Sequence, residues 1–288
     1  MEQAIISGLS GLTAGFVHLH WSNIVMMIIG GLLLYLGIKK DCEPLLLVPI
    51  GFGAIIVNIP LADLMGEEGF VRTIYNMGVI TELFPLLIFI GIGAMTDFGP
   101  VLENPYTFLL GAAGQFGIFL TLLIALGLGF PYMDAVTVGI IGACDGPTVI
   151  YVSSKYAQHL LGPVSVAAYS YMSLVPVLQP PIMKLLTTHK ERTTVMKTHK
   201  KTVSKTTKML FPIVITIVGG LIAPMGLPLL ATIMLGNLMK ESGVVGRLCK
   251  AAENEISNIV TLLLAISIGA TMSGPVFVQP KTLIILCL

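Results

Sequence analysis

Charge is what this 288-residue chain has least of: Asp, Glu, Lys and Arg make up 11% of it, where a soluble domain carries about a quarter. A water-soluble globule is thereby excluded, and 55% hydrophobic residues with a mean hydropathy of +0.92 read as a polytopic membrane protein. Neither sign dominates, because the net charge is +1, so neither nucleic acid nor an acidic substrate is implied. Cysteine is scarce too. Cys42, Cys144, Cys249 and Cys287 form no CxxC and no paired spacing, which argues against a disulfide frame and against a zinc site. His18-x-His20 beside Trp21 lacks the further ligands a metal requires and suits a membrane interface. A basic n-region is also missing, since Glu2 follows Met1, so no cleavable leader is expected. Gly91-Ile92-Gly93 has neither a preceding strand nor a P-loop lysine, which excludes a phosphate loop.

What is present is a series of apolar runs. Residues 1–21 read as an amphipathic interfacial segment. Ile24–Ile38 is long enough to span and is closed by Lys39-Lys40-Asp41. Leu45–Ile59, with Pro49, Gly51 and Gly53, predicts a bent helix packed on protein, and Asp63–Asn76 predicts a loop or surface helix. Leu83–Met95 follows, then a loop over Asp97–Asn104 and a span over Tyr106–Phe130, whose Gly111, Gly114 and Gly117 are expected to let helices pack closely. From Lys184 to Lys208 lysines and Arg192 gather among threonines, which marks 188–208 as a cytoplasmic linker.

The chain is organised around Gly142-Ala-Cys-Asp-Gly-Pro-Thr148. Met133–Ile141 is too short to cross a bilayer, so it reads as a half-helix ending at Asp145. Pro147 fits the first turn of a second half-helix running to about Gln158. A carboxylate at membrane depth costs about 2.5–3.5 kcal/mol on insertion scales and is kept for an ion or proton path. Carbonyls at the end of the first half-helix, the Asp145 carboxylate and the Thr148 hydroxyl would form an oxygen-lined cation site. The competing reading is that Asp145 merely caps the second half-helix. Tyr169 and Tyr171 lie on the next span, as a proton donor or as ordinary aromatic helix residues, and Asn237 reads first as a helix–helix hydrogen bond.

Ile213–Leu221 matches Ile24–Leu32 at six positions, Pro228-Leu229-Leu230 echoes Pro44-Leu45-Leu46, and Ile268-Gly269-Ala270 with Gly274-Pro275-Val276 echoes Ile92-Gly93-Ala94 with Gly99-Pro100-Val101. Order is kept across all three. An internal repeat is therefore expected, with residues 22–187 as the first unit and 209–288 as the second. A counterpart to the Asp145 motif would fall near position 320, so the second unit is expected to be incomplete.

Ile92-Gly-Ala-Met-Thr-Asp-Phe-Gly-Pro-Val101, Gly142–Thr148, Ala168-Tyr-Ser-Tyr-Met172 and Gln179-Pro-Pro-Ile-Met-Lys184 together resemble the beta subunit of the sodium-translocating, biotin-dependent decarboxylases. The resemblance covers essentially the whole chain. It implies an all-α membrane protein with internal, inverted repeats and an elevator-like movement. It further implies that the chain decarboxylates carboxybiotin and exports sodium ion. Partners would be an alpha (carboxyltransferase) subunit, a biotin carrier and a small gamma or delta membrane subunit in a prokaryotic cell membrane, with a homo-oligomer as a further expectation. Of the residues here, it implies that Asp145 binds sodium, with Thr148 beside it, and that Tyr171 serves the proton or a second ion. The family continues past the position of Leu288 into a second broken-helix motif. A sodium-coupled secondary carboxylate transporter is the alternative.

Overall fold

A computed structural model describes residues 14–41, 43–195 and 203–274, which are all-helical with no strand among the described residues. Residues 1–13 of the expected interfacial segment, most of the basic run around Lys197–Lys201, and the echo at Pro275-Val276 lie outside the described residues.

Helix α1 (Trp21–Lys39) is 19 residues of almost uniform apolarity, about 28 Å at 1.5 Å per residue, and stops at Lys40. That matches a hydrocarbon core of about 30 Å. Helix α2 (Pro44–Val57) opens on Pro44, carries Pro49 inside, and buries Leu47, Ile50, Gly53 and Ala54. At 14 residues it is too short to span and is covered by neighbours instead. Helix α3 (Phe70–Tyr75) widens into a π turn at Asn76–Ile80 and meets α4 (Leu83–Met95) at a 59° bend. Of the stretch expected to be a loop or surface helix, residues 63–69 are turns, while Phe70 onwards opens a bent apolar helix pair. A second correction concerns the expected loop at 97–104, where Asp97 Oδ1 accepts from Gly99 N and α5 (Gly99–Glu103) forms.

Helix α6 (Phe108–Gly127) and the bent pair are followed by two short helices, α7 (Tyr132–Gly139) and α8 (Gly146–Tyr156), and then by α9 (Leu161–Leu186). After α10 (His189–Arg192), in which Thr188 and Glu191 cap each other, come α11 (Lys205–Ile222), α12 (Leu227–Ser242), α13 (Gly246–Ala251) with a π turn at Ala252–Ile256, and α14 (Ser257–Ala270). Among the described residues four helices are long and apolar enough to cross a membrane, five if the bent pair is one span. This is a membrane protein.

Two backbone crossings set the frame. In α2 on α14, Gly53 and Gly269 sit in register, and a Cβ at Gly53 would lie 2.6 Å from the Ile266 carbonyl. In α4 on α12, Gly93 faces the Ile233 carbonyl and Gly236 faces the Ile90 carbonyl. Only a hydrogen in place of a side chain lets the helices approach this closely. Gly91-Ile92-Gly93 is therefore packing surface. Gly111 and Gly114, expected to pack, meet nothing within 4 Å, and only Gly117 makes a close approach.

Polar groups tie the ends. Asn58, fully buried at the end of α2, donates to Ala54 O and Met272 O at 2.8 Å each and accepts from Gly274 N at 2.9 Å. Asn237 donates to Thr96 O at 3.1 Å, and Lys240 Nζ reaches Met95 O and Thr96 O. Asn237 is thus a helix–helix hydrogen bond. These ties put the ends of α4 and α12 on one face, the linker face, where Lys208 reaches Asp97, and the ends of α2 and α14 on the other.

Candidate functional site at a helical hairpin tip

Helix α7 starts after Pro131 with Asp134 in its first turn and tightens into a 3-10 turn at Ile140–Ala143. Cys144 then turns the chain in the left-handed region (φ 53°), Asp145 is extended, and α8 begins with Pro147 in its first turn. A straight path from Asp134 to His159 would cover about 37 Å of helix. Instead His159 Nε2 lies 3.3 Å from Asp134 Oδ2. The two half-helices are folded back on each other, so the expected broken helix is a helical hairpin with Asp145 at its tip.

The local sequence permits this fold-back. Nine residues cannot cross, Cys144 turns the chain after α7, and Pro147 fixes φ for a new helix. Packing then fixes the legs. Val149, Ala135, Val138, Val164 and Ala168 form one buried cluster, while Ile150, Leu161, Val166 and Tyr169 join the main core. A Cβ at Gly142 would lie 2.7 Å from the Gly117 carbonyl, so the tip lies directly against the backbone of α6.

Asp145 stands at the N-cap of α8 but makes no side-chain cap bond to its backbone. Its Oδ2 instead accepts a hydrogen bond from the Thr148 hydroxyl, one turn on. Position supports the capping reading, and the bond does not. The negative carbonyl end of α7 and the N–H end of α8 meet here, with a carboxylate and a hydroxyl between them. Among the described residues no three His, Cys, Asp or Glu side chains cluster. The donors at the tip are oxygen, which suits a hard cation.

The two tyrosines part company. Tyr169 is 1% exposed and its ring lies over Gly146, with its hydroxyl 2.7 Å from where a Cβ there would sit. Tyr171 is 45% exposed. Two residues along a helix are about 200° apart, so one faces the tip and the other turns away. The structure brings Asp145, Thr148 and Tyr169 together and leaves Tyr171 on the opposite side of α9. Asp134 and His159 were not anticipated. The acid in the first turn after Pro131 is a sequence signal for a helix start, but no spacing rule predicts its partner 25 residues on.

The family model described as the beta subunit of Na+-transporting oxaloacetate decarboxylase matches residues 22–288. The chain belongs to this family. It is 50% identical over 275 residues to the glutaconyl-CoA decarboxylase subunit beta of Acidaminococcus fermentans, covering 96% of this chain and 73% of that one. Identity is 49% to the methylmalonyl-CoA decarboxylase subunit beta of Veillonella parvula, with the same coverage. To the oxaloacetate decarboxylase beta chain of Klebsiella pneumoniae it is 43%, over 99% of this chain and 78% of the relative. These matches favour the decarboxylase subunit over the secondary transporter.

Proposed function

We propose that the chain is the membrane subunit that receives carboxybiotin from a partner carrier, decarboxylates it, and couples the release of free energy to sodium export. The observation that carries this reading is the Asp145–Thr148 pair at the tip of a hairpin packed into the apolar core. Breaking the N–carboxylate bond of carboxybiotin releases carbon dioxide and takes up one proton on the ureido nitrogen. A site that holds sodium on a carboxylate can exchange that ion for the proton, because the same oxygens accept either. Tyr171 keeps its proposed part in the proton or second-ion path, on the face of α9 that Tyr169 does not occupy.

The surroundings agree with this assignment. Lys205, Lys208 and Lys240 gather on the linker face, which supports a cytoplasmic placement of that face and docking there of the alpha and carrier subunits in a prokaryotic cell membrane. The internal, inverted repeat finds support in the two glycine crossings, where α2 on α14 and α4 on α12 use the same Ile-x-x-Gly pattern, and in a π turn before each of α4 and α14. An elevator-like movement of the hairpin, the small membrane subunit and self-association belong to the same proposal.

Asp145→Asn in a complete complex reconstituted into vesicles tests it. Sodium uptake driven by decarboxylation is expected to fall at least about tenfold, the loss of about 1.4 kcal/mol of ion binding. Undiminished uptake would remove Asp145 from the pump.

A further inference from the structure

The Tyr169 hydroxyl is buried without a hydrogen-bond partner among the described residues. Leaving such a group unmade costs about 1–3 kcal/mol, and a phenylalanine would fill the same space without that penalty. The ring cannot be dismissed as packing alone, because the hydroxyl end is the part that lies over Gly146, between Asp145 and Pro147. The charges that bear on this phenol are the carboxylates of Asp145 and Glu43. A buried, unpaired donor whose ring lies on the residue next to a carboxylate is the arrangement expected where a third party completes the set.

We propose that the Tyr169 hydroxyl is the third oxygen of the Asp145–Thr148 site, giving a lone pair to a sodium ion and its O–H to the Asp145 carboxylate. This rests on the reading of that pair as the sodium site. With the ion in place every donor and acceptor at the tip is satisfied: Thr148 donates to Oδ2, Tyr169 donates to the same carboxylate, and the remaining lone pairs face the cation. The glycine at 146 is then part of the site, since any side chain there would push the phenol away.

The test compares Tyr169→Phe with Asp145→Asn in the complete complex, following both the sodium dependence of decarboxylation and the rise of unfolding temperature with sodium. For Tyr169→Phe the sodium concentration giving half-maximal activation is expected to rise about tenfold, as for one lost ligand. Its unfolding temperature without sodium is expected to equal or exceed that of the parent, which a merely structural tyrosine would not show together with a shifted sodium midpoint. An unshifted midpoint in Tyr169→Phe, with Asp145→Asn losing the sodium response, would overturn the role of Tyr169 and leave the underlying site intact. An unshifted response in both would overturn the site itself.

Discussion

At the scale of single residues, the site depends on what two positions are not allowed to be. Gly146 lies under the Tyr169 ring, and a Cβ there would overlap the ring carbons. Gly146→Ala is therefore expected to cost about 1–3 kcal/mol as an overpacked site, read as a lower unfolding temperature in detergent. Thr148 supplies the hydroxyl bonded to Asp145. Thr148→Val keeps its shape and removes that hydroxyl, so sodium activation is expected to weaken about tenfold, while Thr148→Ser restores it; equal sodium midpoints in the two variants would refute the role of the hydroxyl. Asp145 and Thr148 were legible in the sequence because a carboxylate and a helix breaker in an apolar stretch have few uses. The choice between Tyr169 and Tyr171 was not. It depends on which side of α9 meets the hairpin, and a helix with tyrosines two apart offers both.

Among elements, the hairpin is the unit that matters. Its base is clasped by Asp134 and His159, with the histidine side chain 65% exposed and the aspartate nearly buried. Water screens such a pair, so a double-mutant cycle of Asp134→Asn and His159→Ala is expected to give a coupling of no more than about 1 kcal/mol. A larger value would mean that the clasp, not the packing of Val138, Val149 and Val164, holds the two legs together. Asn58 is different in kind. It is fully buried and bonded to the ends of α2 and α14, and Asn58→Ala is expected to cost about 2–3 kcal/mol by leaving Met272 O and Gly274 N without their partner; denaturant titration of the purified protein checks this. Apolar runs and stop charges made most elements readable, from α1 to α14. The helix α5 was missed because its start depends on an Asp97 side-chain bond to Gly99 N, a local choice that Asp-Phe-Gly-Pro does not force.

For the molecule as a whole, the frame is two glycine crossings. Gly236→Val drives a side chain into the Ile90 carbonyl and is expected to prevent α12 from seating on α4, seen as loss of monodisperse protein. Gly111→Ala, where nothing lies within 4 Å, is expected to be neutral or stabilising by up to about 1 kcal/mol through helix propensity; if both variants purify alike, the crossing is not what holds the frame. Both glycines sit in apolar helices, and the sequence presents them alike. By itself the sequence determined that the chain lives in lipid, where most of its apolar helices lie, and which carboxylate is out of place, because hydropathy, charge and proline act locally. Tertiary structure alone decided that the two half-helices fold back instead of running on, which glycines touch a backbone, and which tyrosine meets Asp145. Those outcomes depend on contacts between segments tens of residues apart, and no local preference of the chain encodes the face a helix will turn to its neighbour.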